Sequence, residues 1–346
     1  MDISIIIVNY NVKDLLIACI DSINKHSKSG FKYEIIIVNN SIHDALEEEI
    51  NNKFGSINVI NNPKNVGFSK AVNQAFEKAL GEHILILNPD TVFIENSLKK
   101  LLHKSNKSKN PCIIGPKILT SKMQLEKSHW RKPRLITTIL SLFYLNTYNF
   151  WKNYNNSENK HGIFVDTISG CAMFMKSDIF NKLNGFNADL FWMEDIDLCV
   201  RAKKEGFDVI FFPNAQIIHY GGQSSKSNPK IRIFNQLLSK IKYYNIHHTK
   251  IEVLILNFTV FINLIFKILL FLPTSFFAND NNSKFYAYLY TFKVFIRGKF
   301  WYSFLDKLIV EIDNPNIIHI GKRYIVELAA TADGIKANID NNSDWL

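Results

Sequence analysis

Four short apolar runs alternate with helical patterns over residues 1–90, and this alternation limits most strongly how the chain can fold. Each run is rich in β-branched residues, as buried strands are. Between the runs, apolar residues recur at helical spacing, for example from Val12 to His26. Strands that alternate with helices predict a parallel α/β sheet covered on both faces. The predicted strands are Ser4 to Val8, Tyr33 to Val38, Ile57 to Ile60 and Ile84 to Leu87.

Polar residues follow each predicted strand at the point where it ends. They are Asn9-Tyr10-Asn11, Asn39-Asn40-Ser41, Asn65-Val66-Gly67 and Asn88-Pro89-Asp90. Ligands of parallel α/β sheets bind at the carboxyl ends of the strands, so the recurrence predicts a binding site. Any one of these clusters alone is better explained as an ordinary turn, and it is the recurrence of all four that favours a binding site. The chain has neither a GxGxxG nor a Walker A pattern, which argues against a dinucleotide fold and a P-loop enzyme.

Composition excludes several classes of protein. The chain has 346 residues, of which 47% are hydrophobic, so it can bury a large core and is not globally disordered. The net charge of +10 favours anionic partners such as acidic lipid or phosphorylated small molecules. We expect no nucleic acid, because zinc-knuckle spacing, an RNP motif and an arginine-rich stripe are absent from the sequence. Four scattered cysteines without a CxxC pair favour a reduced, cytoplasmic setting, and no signal peptide is predicted.

The pattern changes twice along the chain. Residues 118–162 are rich in Lys, Asn, Ser and Tyr with weak periodicity, which predicts a long insertion or a partly mobile loop. After about residue 225 the chain becomes helical in pattern, basic and strongly apolar. We therefore predict an α/β domain over residues 1–225 and a mostly helical extension over residues 226–346. Within the first domain, Phe68 to Leu80 is predicted to be a helix that Gly81 closes as a C-cap.

Three carboxylates crowd together in the run Glu194-Asp195-Ile196-Asp197, directly after Trp192 and Met193. Asp195 is predicted in the first turn of a helix, where the helix dipole keeps a carboxylate ionised. Asp197 and Arg201 are four residues apart and are interpreted as an ordinary helix-surface pair. Glu194 and Asp195 have no obvious local partner, so a functional role is open to them. Trp192 offers a flat face on which a sugar can stack, although a core tryptophan is the plain alternative.

Asp90 and His219 are candidate ligands of a metal ion. Asp90 ends an apolar strand and could hold a divalent cation that neutralises a diphosphate, but an Asx turn or an N-cap near Glu95 explains it equally well. His219 follows a strand-like run and precedes Tyr220-Gly221-Gly222. A lone histidine is more often structural, yet this position makes a ligand role plausible. Imidazole with carboxylate suits Mn²⁺ as well as Mg²⁺.

Together these residues resemble a family 2 glycosyltransferase, particularly the rhamnosyltransferase-like branch. The similarity covers about residues 1–225, and the order and spacing of the motifs are more specific than any motif alone. The matching motifs are Ser4-Ile5-Ile6-Ile7-Val8-Asn9-Tyr10-Asn11, Asn65-Val66-Gly67-Phe68, Leu87-Asn88-Pro89-Asp90-Thr91, Ser169-Gly170-Cys171-Ala172-Met173, Gly185-Phe186-Asn187, Glu194-Asp195-Ile196-Asp197-Leu198-Cys199-Val200-Arg201 and His219-Tyr220-Gly221-Gly222-Gln223-Ser224.

The resemblance implies a nucleotide-sugar-binding α/β fold of the GT-A type and an inverting displacement at the anomeric carbon. It implies that Asp195 is the general base and that Asp90 binds Mn²⁺ or Mg²⁺, with a contribution from His219. The nucleotide-sugar pocket would include Asn9, Tyr10, Asn39, Asn65, Gly67, Asn88 and Asp90. The acceptor site would include Gly170, Trp192 and Glu194.

Two departures from the family pattern affect the expected specificity. Asn39 stands where the family often has Asp; it can accept a hydrogen bond but carries no charge, which leaves the bound base open. Asn88 likewise replaces the first Asp of the metal motif, so Asp90 remains the main carboxylate ligand. The expected donor is dTDP-rhamnose or a UDP-hexose. The alternatives are a nucleotidyltransferase, which needs no base at Asp195, and a non-catalytic glycan- or lipid-binding module with a degenerate transferase site.

One segment of the extension, Ile251 to Leu272, is long and apolar enough to span a membrane. Its residues Thr259, Asn263 and Lys267 form one polar stripe, and both flanks are basic. An amphipathic helix on an anionic bilayer explains both features, while a buried helix and a spanning helix are alternatives. We therefore expect a cytoplasmic enzyme, peripheral on the inner face of the cell membrane, that acts on a glycan or lipid-linked acceptor in polysaccharide biosynthesis.

Overall fold

The computed structural model describes residues 1–27, 30–41, 46–55, 57–145, 161–221, 229–273 and 284–297. The chain divides into two compact units, Met1–Ser227 and Asn228–Leu346. The boundary that the sequence predicts at residue 225 lies outside the described residues. In chain order the first unit contains β1 (Ile3–Asn9), α1 (Lys13–His26), β2 (Tyr33–Asn39), α2 (Leu46–Phe54), β3 (Asn58–Asn61), α3 (Phe68–Phe76), β4 (His83–Leu87), β5 (Thr91–Phe93), α4 (Ser97–Lys107), β6 (Cys112–Thr120), β7 (Leu125–Glu126), β8 (His129–Trp130), α5 (Leu135–Leu142), β9 (Ile163–Phe164), β10 (Thr167–Ile168), β11 (Ala172–Lys176), α6 (Ser177–Lys182), α7 (Glu194–Lys204) and β12 (Asp208–His219).

The first four strands pair in parallel, as the sequence predicts, and the structure places them in the order β3-β2-β1-β4. Ile5 of β1 lies opposite Ile35 on one side and Leu85 on the other. The strands are continuous apolar runs because both faces of the sheet are covered. Ile5 packs in the cluster that contains residues of α1 and α4, and Ile6 packs in the cluster that contains residues of α3, α6 and α7. This half of the fold is the expected α/β layer.

The remaining half of the sheet is mixed, so the expectation of a wholly parallel sheet is wrong beyond β4. The strand order continues from β4 through β11, β6 and β12 to β5. Strand β11 runs antiparallel to both β4 and β6, while β12 runs parallel to β6. Apolar runs indicate buried strands without indicating their direction, which is why the sequence did not reveal the reversal. The carboxyl end of β4 therefore meets the amino end of β11.

Helix α3 is shorter than predicted, and Gly81 has a different role. The helix ends at Phe76 rather than Leu80. A Cβ on Gly81 would lie 2.4 Å from the backbone nitrogen of Ser4, so any side chain at this position would collide with β1. Gly81 is required because two backbone segments approach closely, and not as a helix cap.

The interpretation of residues 118–162 as a long insertion or a partly mobile loop missed the secondary structure in the part that is described. Strand β6 continues to Thr120, β7 pairs with it antiparallel, and β8 pairs antiparallel with β10. Helix α5 follows β8 in the chain. Strands of two residues are too short to show a periodic pattern, which explains the missed assignment. Residues 146–160 lie outside the described part.

The second unit is helical where it is described, with α8 (Pro229–His247), α9 (Lys250–Phe271) and α10 (Lys284–Arg297) in mutual contact. Helix α9 starts at a capping box: the Glu252 backbone N–H donates to the Thr249 hydroxyl at 3.3 Å, and the Thr249 backbone N–H donates to the Glu252 carboxylate at 3.0 Å. By length and composition, α9 is the one helix among the described residues that could cross a membrane, with a mean hydropathy of 2.3.

Two of the three residues in the polar stripe on α9, Asn263 and Lys267, lie against the rest of the second unit rather than facing solvent as the amphipathic interpretation assumed, while Thr259 is half-buried. Asn263 is only 3% exposed, and the Lys267 ammonium lies 5.0 Å from the ring centroid of Tyr288 in α10. Nine apolar side chains of α9 are exposed, and 28% of the most apolar 18-residue stretch of the helix is buried. The helix thus turns Asn263 and Lys267 toward its neighbours. Its exposed residues are Ile251, Leu254, Ile255, Phe258, Ile262, Ile265, Phe266, Leu269 and Leu270.

Candidate active site

A ladder of asparagine amides joins the carboxyl ends of the first three strands. The side-chain amide of Asn9 donates to Asn39 Oδ1 at 3.0 Å, and the side-chain amide of Asn39 donates to Asn61 Oδ1 at 3.2 Å. The Ser41 backbone N–H also donates to the Asn39 oxygen, at 3.1 Å. Both Asn9 and Asn39 are buried. The side-chain oxygen of Asn39 is therefore already engaged twice, and the ladder holds this polar surface rigid without any charge.

The residues Tyr10, Asn65 and Gly67 lie at the same edge of the sheet, in the loops after β1 and β3. Tyr10 is half-buried. The Asn65 side chain accepts a hydrogen bond from the Gly67 backbone N–H at 2.9 Å, which is an Asx turn directly before α3. Gly67 has a φ of 85°, a backbone conformation that glycine adopts without strain. The turn interpretation of this cluster is correct, and a role in binding stays a prediction.

Asp90 and His219 come together although 129 residues separate them in the chain. Strand β12 pairs with β5 so that His219 lies opposite Thr91, the residue after Asp90. The Asp90 Oδ1 atom lies 3.3 Å from His219 Nε2. Asp90 is 5% exposed, and it does not cap the following helix, because the side chain of Asn96 caps α4. The structure therefore brings both predicted metal ligands to one point.

Glu126, in the two-residue strand β7, was not predicted as a site residue. Both of its carboxylate oxygens lie 3.1 Å from His219 Nδ1. Burial acts to lower the pKa of His219, but its contacts with Asp90 and Cys171 outweigh burial and raise it to about 11. The imidazole is thus held between two carboxylates, one at each ring nitrogen. A short strand without periodicity gave no signal that could have identified Glu126.

Asp90 and His219 fit two ligands of a divalent cation, which would take the place of the proton on His219 Nε2. The His219 Nε2 atom is buried and makes no well-aligned hydrogen bond, while Glu126 fixes the other ring nitrogen. A carboxylate on the far side of a ligating histidine is the usual arrangement behind a metal site. The described residues contain no cluster of three or more His, Cys, Asp or Glu side chains that could hold a metal alone. The remaining ligand positions would therefore fall to phosphate oxygens and water.

Asp195 is fixed at the start of α7 by backbone hydrogen bonds to both carboxylate oxygens. Its Oδ2 accepts from the Gly170 N–H at 2.8 Å, and its Oδ1 accepts from the Ile196 N–H at 2.7 Å. Burial raises the pKa of Asp195 although these bonds act to lower it. A Cβ on Gly170 would lie 3.3 Å from the Asp195 Cβ. Gly170, predicted to border the acceptor, therefore also positions the candidate base.

The other two predicted acceptor residues lie directly beside Asp195. Burial, and then the neighbouring Asp195, raise the pKa of Glu194 well above its ordinary value. One oxygen of Glu194 is buried without a hydrogen bond among the described residues. Trp192 is half-buried and precedes Met193, which adopts a left-handed conformation with a φ of 72° just before α7. Buried, mutually repelling carboxylates of this kind are typical of functional sites.

Asp197 is not at the helix surface, so its interpretation as an exposed partner of Arg201 is wrong. The side chain is 0% exposed, and its Oδ2 accepts from Arg201 Nε at 2.8 Å. The Arg201 guanidinium also donates to the backbone carbonyls of Leu183 and Gly185. The pairing follows from i, i+4 spacing, but the burial of this helix face depends on tertiary packing. Asp197 is thus a structural residue, while Asp195, two residues earlier, lies in the candidate site.

The candidate base and the candidate metal ligands belong to neighbouring segments. The backbone N–H of Asn88 donates to the backbone carbonyl of Cys171 at 2.9 Å. Asn88 lies two residues before Asp90, and Cys171 directly follows Gly170. This link exists because β4 and β11 are antiparallel neighbours. The structure therefore brings together Asp90, His219, Gly170 and Asp195. Residues 222–224, which complete the predicted histidine motif, lie outside the described part.

Comparison with known proteins identifies the family of the chain. The model of "Glycosyl transferase family 2" matches residues 4–180, just over half of the chain, and that of the "N-terminal domain of galactosyltransferase" matches residues 154–222. Rhamnosyltransferase WbbL of Escherichia coli is 25% identical over 242 residues, covering 64% of this chain and 85% of the relative. N-acetylglucosaminyl-diphospho-decaprenol L-rhamnosyltransferase of Mycobacterium tuberculosis is 22% identical over 213 residues, covering 56% of this chain and 69% of the relative.

Solved structures show the same fold. The crystal structure of GalNAc-T7 with UDP, GalNAc and Mn²⁺ superposes with a TM-score of 0.53 at 16% identity. The match covers 70% of this chain and 50% of that chain. Likeness at this identity concerns the fold alone, whereas the family match rests on the sequence itself. The chain is therefore a glycosyltransferase with a GT-A fold and belongs to glycosyl transferase family 2.

Proposed function

We propose that this glycosyltransferase is a metal-dependent inverting enzyme that moves a sugar from a nucleotide-sugar to a hydroxyl group of a lipid-linked or cell-surface glycan. The observation that carries the proposal is the anchoring of Asp195. Its carboxylate is fixed by the Gly170 N–H, and the next residue, Cys171, is hydrogen-bonded to the Asn88–Asp90 turn. A positioned carboxylate one strand away from a cation site is what a direct displacement requires.

Asp195 would act as the general base. A sugar hydroxyl is a poor nucleophile at neutral pH, so its proton must move to Asp195 while the new bond to the anomeric carbon forms. The bond from that carbon to the diphosphate oxygen breaks on the opposite face, with inversion, and the carbon is oxocarbenium-like at the transition state. The raised pKa of Asp195 makes it a better proton acceptor than an exposed aspartate. Gly170 holds the carboxylate, and Trp192 and Glu194 border the incoming sugar.

Asp90 and His219 would hold Mn²⁺ or Mg²⁺, with Glu126 fixing the imidazole. When bound, the cation offsets the charge of the departing nucleoside diphosphate. The donor end would lie along the strand ends, with Asn9, Tyr10, Asn39, Asn65, Gly67 and Asn88 lining the nucleotide pocket. The two rhamnosyltransferase relatives favour a donor such as dTDP-rhamnose, with a UDP-hexose as the second choice.

We further propose a lipid-linked acceptor and a cytoplasmic enzyme that is peripheral on the inner face of the cell membrane. The mycobacterial relative is named for an acceptor in which a sugar is joined through a diphosphate to decaprenol. Helix α9 supports membrane contact, because its exposed face is apolar over its whole length and the chain is basic.

Nucleotide-sugar hydrolysis tests the enzymatic proposal without knowledge of the acceptor. The purified protein is incubated for hours with dTDP-rhamnose or UDP-hexoses in the presence of Mn²⁺, and the nucleoside diphosphate released is measured. We expect slow, Mn²⁺-dependent release from one donor, and that donor should also raise the melting temperature. A chain that neither hydrolyses nor binds any nucleotide-sugar would be a non-catalytic module, and the proposal would be wrong.

Vesicle co-sedimentation tests the membrane contact. Replacing both Phe258 and Ile262 by Glu should weaken binding to anionic vesicles more than tenfold, because each apolar side chain contributes about 1.5–3 kcal/mol when buried. The matched control is Ile246→Glu, an exposed apolar position on α8, and it should bind as the wild type does. Wild-type protein that ignores anionic vesicles would contradict the proposal.

A further inference from the structure

The segment from Lys127 to Leu145, which we call the acceptor segment, is a structured part of the first unit with no role in the site described so far. It contains β8 and α5. Its sequence is KSHWRKPRLITTILSLFYL. Residues 127–134 form a basic half, and residues 135–145, which follow, form an apolar half.

The basic half is fixed against the candidate site at two points. Glu126, the residue before the segment, contacts His219 Nδ1 at 3.1 Å. The Ser128 carbonyl accepts from the Ser169 N–H at 2.8 Å, and the next residue, Gly170, donates to Asp195. Lys127 therefore lies in the chain between Glu126, which contacts His219, and Ser128, which is bonded to the residue before Gly170.

The basic half carries an excess of positive charge. Residues 127–145 contain Lys127, Arg131, Lys132 and Arg134 and no Asp or Glu. Asp166 offsets part of this charge, since it accepts from the Lys132 backbone N–H and is paired with Lys203. Ser128 adds a hydroxyl that is buried without a hydrogen-bond partner among the described residues. Cations together with a buried hydroxyl are suited to phosphate oxygens.

The apolar half leaves three apolar side chains exposed, namely Ile136, Tyr144 and Leu145. Of the eight apolar residues between positions 135 and 145, Leu142 is the one that is buried. Ile136 is 65% exposed and Leu145 is 58% exposed. A helix whose apolar side chains are not used by its own core offers a surface to an apolar partner.

We propose, on the basis of the proposed function, that the acceptor segment binds the lipid phosphate of the acceptor. Lys127, Arg131 and Arg134 would bind the phosphate or diphosphate, and the exposed side of α5 would take the first isoprenoid units. An acceptor with its reacting hydroxyl at Asp195 presents a sugar, then phosphate, then hydrocarbon. Along the chain from Ser128, which is anchored next to the support of Asp195, the segment presents cations and then apolar side chains in the same order. Charge complementarity and this order identify the acceptor's own lipid, rather than the bilayer, as the occupant.

Direct binding of an isoprenoid diphosphate tests the proposal. The full chain in neutral detergent is titrated with geranylgeranyl diphosphate and, separately, with geranylgeraniol, by calorimetry in EDTA so that no metal can hold the diphosphate. We expect the diphosphate to bind at least tenfold more tightly than the alcohol. The double variant Arg131→Gln/Arg134→Gln should lose about tenfold in affinity for the diphosphate, whereas Arg131→Lys/Arg134→Lys, which keeps the charge, should lose less.

Controls separate this inference from the alternatives. Lys122→Gln, an exposed lysine in the turn between β6 and β7, should bind the diphosphate as the wild type does. If the double variant does not fold, the single variant Arg134→Gln, at an exposed position, should still lose severalfold. Unchanged affinity in these glutamine variants, or equal affinity of the wild type for both lipids, would overturn the inference. Loss of binding to phosphatidylglycerol vesicles with unchanged diphosphate affinity would overturn it in favour of bilayer docking. Nucleotide-sugar hydrolysis by the wild type, measured in the same preparation, reports separately on the transferase proposal.

Discussion

Two edges of the candidate site are built in opposite ways. The donor edge is the asparagine ladder at the ends of β1–β3, and the catalytic edge is formed by Asp90, Glu126, Asp195 and His219. At the donor edge, Asn9 and Asn39 come from adjacent parallel strands, carry no charge and are joined by one hydrogen bond from the Asn9 side-chain amide to Asn39. At the catalytic edge, Asp90, Glu126 and Asp195 come from separate parts of the chain, and Asp90 and Glu126 both lie against His219. Neutral amides that bond to each other make a rigid surface at little cost, whereas buried charges are costly unless they have partners or a task. Under the proposed function, recognition of the donor would be concentrated at one edge and the chemistry at the other.

Removing the charge of Asp195 should produce the largest effect. Asp195→Asn keeps the shape of the side chain but cannot take a proton, and it also loses one of the two backbone hydrogen bonds that the carboxylate accepts, so transfer should fall by about 10³-fold or more while the donor KM stays nearly unchanged. Radiolabelled sugar transfer and a nucleotide-sugar thermal shift measure the two quantities. Asp178→Asn, at an exposed carboxylate on α6, is the matched control and should transfer as the wild type does. Wild-type-like turnover in Asp195→Asn would remove the base assignment.

Asp197 lies on α7 two residues after Asp195, and we expect it to contribute to stability rather than to catalysis. Asp197→Ala should leave the Arg201 guanidinium without its carboxylate partner in a buried setting, which costs about 3–5 kcal/mol in the free energy of unfolding. Denaturant unfolding measures this cost, and catalytic constants measured well below the melting temperature should change little. A variant that folds normally but loses turnover would instead mean that Asp197 takes part in the chemistry.

The parts that could be predicted from sequence are those with local signals. Strands β1–β4 and the polar residues after them follow from apolar runs and turn residues, and these dominate the donor edge. Glu126 could not be found, because β7 has two residues and its importance depends on pairing with β6. The burial of Asp197 was missed for a related reason: the i, i+4 spacing predicts the pair, while the packing of α7 decides whether it faces solvent. The catalytic edge is thus the part that long-range contacts create.

Glu126 offers a test of the metal assignment that does not alter a ligand. Glu126→Gln should loosen the imidazole of His219 and raise the Mn²⁺ concentration for half-maximal activity about tenfold, because residues behind metal ligands typically contribute 10–100-fold to metal affinity. Activity at saturating Mn²⁺ should largely recover, and EDTA should abolish it in both proteins. Leu125→Ala, the exposed neighbour in β7, is the control and should keep the wild-type Mn²⁺ dependence. An unchanged Mn²⁺ requirement in Glu126→Gln would contradict the arrangement.

The smallest effect is expected at the donor edge, where a charge can be introduced without touching the catalytic residues. In Asn39→Asp, the carboxylate can still accept from Asn9 and from the Ser41 N–H, but it can no longer donate to Asn61. Its additional acceptor capacity should lower the donor KM by about threefold, since one net hydrogen bond contributes about 0.5–1.5 kcal/mol, while kcat stays within about twofold. Asn58→Asp, exposed at the start of β3, is the control for added charge alone. A large fall in kcat for Asn39→Asp would break the comparison, because it would mean that the neutral ladder also positions the reacting groups.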